Sequence, residues 1–573
     1  MVFRRGLGAV ILVIGSLAAC AAPQPQGGSP RSQDAVAAAP KHLTAAIFGE
    51  PRHLGTNRTD PGGALGNVPG GEAVEELLQV GLVTINDKGL LEARLAEAVP
   101  TFENGLWSLL PDGRMQTTWR IRDGAQWHDG TPVTSDDLIF TATVYRDKEV
   151  VEIFPVASIA LIEDVQAPDP RTVTVTWSQP FIEADSLFSG VLALPLPKHL
   201  LEEAYAEDKA HLMDTPYWTD AFVGTGAYKL KAWAPGSHVG LEAFDRYIMG
   251  RPKIDQIEVK FIYDANALIA NVASGVVDLT MGRGLDIEQS LSVKEQRADV
   301  EPLYAPAGWV PIYPQFVNPS PRVVADVRLR RALLLAIDRQ QIVDSVTHGL
   351  VPIAHSFVHP SEPLYPAIES SIVRYGYDPR RATELIDDMG YSRGADGMYR
   401  DGGGQPLSVE LWTTAQRDHH LKSIFPVADN WQRVGVTVET NVVPIQRVPD
   451  REYLFNFPAF ILIGLGNGLR SADVKRYHSS FAGTAENRYQ GGNMARYMNP
   501  DLDALVDTYT VTIPVTERGK VLAEIVHHQT DQVTYMGLFF QLRPVIAAQR
   551  LVNVTPGHQT GTPAWNAHEW DLR

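Results

Sequence analysis

Between residues 222 and 278 the hydrophobic pattern runs at period two three times and then turns helical, which commits this part of the chain to an α/β arrangement. Gly224 and Gly226, in FVGTGAYKLKAW, mark a point where backbone must bend or approach something closely. Residues 227–233 alternate as a strand does, Pro235-Gly236 is a turn, and residues 237–243 alternate again, so together they read as a hairpin. Ile257, Val259, Phe261 and Tyr263 recur at period two as a third strand. Asp264 caps a helix carrying Leu268, Ile269 and Val272, Gly275 ends it, and residues 276–279 return as extended chain.

The residues are more particular than the pattern. GTGAYKLKAWAPGSHVGLEAFDRY, followed by the helix and GVVDL, resembles the extracytoplasmic solute-binding proteins of ABC importers, in the peptide, dipeptide and nickel-binding class known as family 5. WRIRDGAQWHDGTPVTSDDLIFT at 119–141 carries the same resemblance, as do DVRLRRALLLAIDRQQIV at 326–343, YDPRRATELIDDMGY at 377–391 and GGNMARYMNPDLDALVD at 491–507. The likeness runs from about residue 41 to the C-terminus. It implies an α/β, two-lobed periplasmic-binding-protein fold (type II, the large cluster C form), with an extra subdomain in the first lobe and a ligand cleft between lobes. The implied divisions are lobe I at 41–283 with the inserted subdomain at about 85–215, lobe II at 284–538, and a return to lobe I at 539–573. Paired strands at 281–284 and 538–541 are expected to link the lobes, with Gly282 and Gly284 absorbing backbone change.

Ahead of this comes Phe3-Arg4-Arg5, then an apolar run at 7–17 too short to span a bilayer well, then Leu17-Ala18-Ala19-Cys20. This reads as a signal peptide, 1–19, ending in a lipobox-like sequence. Cys20 is the sole cysteine in 573 residues, so it forms no internal disulfide, but here it can be acylated and become the mature N-terminus. The alternative is an ordinary signal peptide cleaved elsewhere among the alanines. Residues 20–40, rich in Pro, Gly, Ser and Ala, read as a flexible tether of at most roughly 65 Å. The formal charge of −17 becomes about −19 once Arg4 and Arg5 leave with residues 1–19. Such acidity argues against nucleic acid or an anionic bilayer as the binding partner.

Catalytic constellations are missing. No Gly-x-Ser-x-Gly elbow, His-Glu-x-x-His or Walker motif occurs, and the glycines at 464–468 do not match a dinucleotide fingerprint. His419-His420 and His527-His528 are adjacent pairs, which point apart on a helix. His128-Asp129 looks like an acid–base pair but sits in WHDGTP, the family's structural turn. Trp119, Trp177 and Trp233 fall in expected strands and Trp431 on a helix face, all read as structural.

A non-enzymatic binding protein without cofactor or metal is therefore expected, a monomer working with an ABC permease and its ATPase subunits. It would sit outside the cytoplasm, in the periplasm or on the cell surface, held by lipidated Cys20. Trp412 reads as the end of a strand, with Thr413 and Thr414 opening a loop, and ligands gather at such ends. By the resemblance, an aspartate that pairs with a peptide's terminal ammonium belongs in IGLGNGLRSAD, 463–473, near Gly466. No acidic residue lies between 460 and 472, and Asp473 is expected to begin the next helix. Recognition is thus expected through neutral contacts: Gly464, Gly466, Asn467, Thr413, Thr414, Asn493 and Met281, with aromatic walls including Trp412 and Phe540. An oligopeptide held along its backbone is the expected solute. A neutral oligosaccharide, a metal complex, or a lipid-anchored hydrolase instead of a binder are the alternatives.

Overall fold

The period-two stretches become strands of one ten-stranded sheet. The structure, a computed structural model, describes residues 39–55, 68–150, 157–282 and 284–573. Cys20, the signal peptide, nearly all of the tether, and Arg283 lie outside the described residues. In chain order the strands of the large sheet are β1 His42–Ile47, β2 Tyr228–Ala234, β3 His238–Ala243, β4 Gln256–Phe261, β5 Leu279–Thr280, β6 Val300–Pro314, β7 Ser408–Thr414, β8 Thr437–Val443, β9 Phe460–Leu462 and β10 Met536–Ala548. Across the sheet they run β8-β7-β9-β6-β10-β5-β1-β4-β3-β2.

The hairpin is β2 and β3, paired antiparallel, and β4 joins β1 in parallel. Gly224 and Gly226 are needed for close approach: a Cβ on either would lie 2.1 or 2.3 Å from the carbonyl oxygens of Leu78 and Leu77. Alternation along β1 feeds two cores. Leu43, Ala45 and Ile47 join Ala73, Leu77, Leu241 and Ile257 on one face, while Ala46 joins Leu268, Val293 and Ile546 on the other. Asp264 caps its helix by accepting from the Ala267 N–H. Thr134 and Asp137 form a reciprocal capping box that starts the helix Ser135–Arg146. That helix lies beside a separate antiparallel sheet ordered Trp107–Leu109, Met115–Arg120, Thr172–Trp177, Ile162–Asp169, which buries Trp119 and Trp177 completely.

In the second lobe β8, β7 and β9 run parallel, with helices on both faces. One face buries Leu411, Ile424, Val427 and Trp431, and the other buries Trp309, Phe357, Ile461 and Tyr477. Trp431, as expected, is core, and its ring N–H donates to the Leu333 carbonyl.

The two lobes share the long antiparallel pair β6 and β10. Its register runs from Val300↔Ala548 at the first lobe to Ile312↔Met536 at the second. The strand facing residues 538–541 is therefore β6, through Trp309↔Phe540 and Val310↔Phe539, and not 281–284. Residues 279–280 instead pair with β1 and touch β10 only at Ala547. The helix Ile287–Gln296, beyond the expected crossing, packs against the helix Ala265–Ala273 of the first lobe. Register shifts interrupt the long pair between Pro306 and Gly308 and between Val310 and Pro311. At Gly308, with φ +131°, a Cβ would sit 2.6 Å from the Leu465 carbonyl oxygen, so only glycine fits.

Candidate functional site

Parallel strands end where residues 282–288, 415–418 and 463–467 begin, on both sides of the β6–β10 pair, and open space gathers there. One cavity, of about 290 Å³, is lined by Asp286 and Glu288 of the first lobe, by Arg417, His419 and Lys422 of the second, and by β10 residues including Phe540 and Gln541. Lys422 Nζ spans its mouth, 2.6 Å from Glu288 Oε2 and 2.7 Å from Asp418 Oδ2. These side chains are largely exposed, so the bridge adds little stability.

A second cavity, of about 280 Å³, lies between Glu183, Asp185 and His558 of the first lobe and Glu362, Arg470 and Arg518 of the second. The lobes touch here directly. The Ser471 hydroxyl donates to Glu183 Oε2 at 2.9 Å and its N–H donates to Oε1. Gln559 donates to Glu362, and His558 Nε2 lies 3.2 Å from the same carboxylate. Burial raises Glu183 above the usual carboxylate range. Burial also lifts Asp185 to about 7, with Arg518 drawing it down and Glu183 pushing it up.

The expected site residues fare unevenly. Phe540 lines the first cavity and packs edge-on to His359 at 4.6 Å. Asn493 lines a much smaller space, and its amide donates to the Tyr497 carbonyl at 2.8 Å. Thr413 and Thr414 do not open a loop. They continue β7 opposite Val442 and Val443, as β-branched residues favour, and both are fully buried. The Thr413 hydroxyl is taken by the Leu462 carbonyl. Trp412 faces away from the cavities, stacked on Tyr453 at 4.9 Å with its N–H on Glu410. Met281 is 1 % exposed, its N–H bound to the Ala46 carbonyl.

The loop expected to offer backbone to a ligand spends most of it on the protein. The Gly464 N–H donates to His420 Nε2, Leu465 exchanges both backbone bonds with Trp309, and the Gly466 carbonyl accepts from Arg476. The Asn467 amide donates to the Phe357 carbonyl. Asp473, inside the short helix Ser471–Lys475, folds back over Gly468: a Cβ there would meet its carboxylate at 2.3 Å. It is paired with Arg476 at 2.7 Å.

Other candidates are structural. His128 clamps the 224–226 turn, accepting from the Gly224 N–H at 3.2 Å through Nδ1 and facing the Gly226 carbonyl at 3.1 Å through Nε2. Burial holds it neutral, down to about 4. The His419 and His420 rings stand 4.6 Å apart, and burial lowers His419 to about 4 and His420 to about 3. Among the described residues no group of three or more His, Cys, Asp or Glu side chains could hold a metal ion, and no helix is long and apolar enough to cross a membrane.

Sequence reasoning missed Glu183, Asp185, Glu362, Arg470 and Arg518. One signal was available: two acids inside the otherwise apolar FIEADSLF are placed to be buried.

Comparison with known proteins bears on this geometry. Residues 98–487 match the family model of bacterial extracellular solute-binding proteins, family 5 middle. Proteins of Brucella ovis and Brucella abortus, provisionally named ABC transporter peptide-binding proteins, are 28 % identical over 312 residues. That match covers 54 % of this chain and about half, 54 %, of theirs. The oligopeptide-binding protein AppA of Bacillus subtilis is 24 % identical over 375 residues, 65 % of this chain and 64 % of that one. Its structure with a nonapeptide superposes with TM-score 0.63 at 20 % identity, covering 93 % of this chain and all of that one, 100 %. NikZ of Campylobacter jejuni, solved with Ni(L-His), gives TM-score 0.68 at 21 % identity over 92 % of this chain and 99 % of that one. These structures share the two-lobed fold described above.

Proposed function

This chain belongs to the bacterial extracellular solute-binding proteins of family 5, and from that premise we propose that it is the substrate-binding lipoprotein of an ABC importer, capturing oligopeptides outside the cytoplasmic membrane and delivering them to the permease. The observation that carries the peptide reading is the lining of the 280 Å³ cavity between the lobes. A peptide brings an ammonium and a carboxylate, and each is costly to bury unpaired. Glu183, Asp185 and Glu362 offer partners to the first, Arg470 and Arg518 to the second. A neutral oligosaccharide brings hydroxyls to such a lining but no charge to pair with it, so charged contacts take the place of the neutral ones expected from the sequence. Phe540 remains as an apolar wall in the neighbouring cavity. In this reading lobe I extends through the helix Ile287–Gln296, β6 and β10 are shared, and the protein binds without covalent chemistry. Closure follows when contacts in the closed form outweigh its cost, and the closed form docks on a permease driven by an ATPase pair.

Mass spectrometry of solute released from natively purified protein is the direct test. Peptides are the expected result, and glycans or a metal chelate in their place would refute the peptide reading. The lipid anchor is tested separately: Cys20→Ser should shift the protein from the membrane fraction to the soluble one, or leave it unprocessed. A variant that stays membrane-bound at the normal mature mass places the anchor elsewhere.

A further inference from the structure

In the second lobe lies a small space where polar and apolar side chains meet. It is a cavity of about 10 Å³. Tyr313 of β6, Tyr477, Gln529 of the helix Val515–Asp531, and Thr534 just before β10 all line it. They are 3, 8, 1 and 4 % exposed, respectively. The hydroxyls of Tyr313, Tyr477 and Thr534 and the Oε1 of Gln529 have no hydrogen-bond partner among the protein groups. The Tyr535 hydroxyl is turned instead toward the Phe357 carbonyl, without meeting hydrogen-bond geometry.

Buried polar atoms without partners are costly, and four converging on one space call for a common partner. No Asp, Glu, His, Lys or Arg is among the lining residues, and burial raises the tyrosines further above neutral pH, so the partner is neutral. Three hydroxyls can each donate and accept, while Gln529 Oε1 only accepts, so the partner must do both. The room is that of about one water, and a buried water typically makes two to four hydrogen bonds. We propose that this cavity is a structural water site that ties β6, the entry to β10, the helix Val515–Asp531 and the Tyr477 segment together. Trp309 stands edge-on to both Tyr313 and Tyr535, at 6.4 and 4.7 Å, and links the site to the bulged part of β6. The water thus fixes the second-lobe ends of both strands that join the lobes.

The hydroxyl of a bound solute has the same chemistry, and the test separates the two. Crystals of the solute-free and solute-loaded protein should both show an isolated density peak within hydrogen-bond reach of at least three of the four atoms. Density continuous with a solute in the loaded form, or no peak in either, overturns the proposal. In solution, the ¹⁷O relaxation dispersion of water should fall by the contribution of one long-lived molecule in Tyr313→Phe/Thr534→Val. If that variant does not fold, Tyr477→Phe alone should shorten the residence time. An unchanged dispersion in a folded variant overturns the assignment.

Discussion

Asp185 is the residue whose titration should be easiest to see. Its carboxyl sits near 7 because burial disfavours the charge, well above the ordinary aspartate value of 3.8. Between those values the folded chain holds a proton that the unfolded chain has released. The stabilisation from this group is therefore complete below the unfolded value and is lost as pH rises through 7. Asp185→Asn removes that slope. Calorimetry should find the variant more stable than the parent at pH 8, by on the order of 1 kcal/mol, with the gap closing toward pH 4. A gap independent of pH would show that Asp185 is ionised throughout. The acid was legible only as an oddity, one of two carboxylates in an apolar run. Its partners were not legible at all, since Glu362, Arg470 and Arg518 lie in separate segments that only the tertiary packing brings to one cavity. The resemblance pointed to residues 463–473 as the cleft wall. It could not show that Gly464, Leu465 and Gly466 spend their backbone groups on His420, Trp309 and Arg476.

Elements were more legible than contacts, because their signals are local. The cap expected at Asp264 formed, since it needs only a side-chain oxygen three residues before an N–H, and Asp338, Asp378 and Asn499 cap their helices in the same way. β6 was legible only in part. Its sequence VEPLYAPAGWVPIYP holds prolines that read as strand breakers, so only the apolar run from Gly308 onward reads as strand-like. The prolines are tolerated because β6 has β10 along one side and β9 on the other only at Ile312–Pro314, so much of one edge needs no N–H donor. Gly308 is the pivot of this strand. Gly308→Ala would put a methyl 2.6 Å from the Leu465 oxygen at a φ of +131°, so the bridge between Trp309 and Leu465 must break or the bulge must shift. Urea denaturation should show a loss of about 2–4 kcal/mol, larger than the ordinary penalty for a surface glycine. A loss under about 0.5 kcal/mol would mean the bulge re-forms elsewhere.

At the scale of the whole molecule, the lobes are joined by two long strands and by a few polar contacts across the cleft. Glu183 accepts from Ser471, and Glu362 accepts from Gln559. Hydrogen bonds to charged groups contribute about 1.5–3 kcal/mol each, and here Glu362 is buried and Glu183 half-buried. A few such bonds can bias an open–closed equilibrium but cannot fix it, so solute should still move the population toward the closed form. Small-angle scattering should show a smaller radius of gyration with the natively recovered solute than without it. Glu183→Ala/Glu362→Ala should enlarge the solute-free particle and weaken binding about ten- to hundredfold, the equivalent of roughly 1.4–2.8 kcal/mol. Most of that loss should appear as faster dissociation, since the contacts form after the solute has entered. Lys422→Ala serves as the control for the radius: its bridge to Glu288 also joins the lobes but is exposed, so the radius should barely change. A radius that stays fixed at saturating solute in the parent protein would rule out closure about β6 and β10. A fixed radius in the double variant, with affinity reduced, would show instead that the two carboxylates act on the solute and not on the lobes.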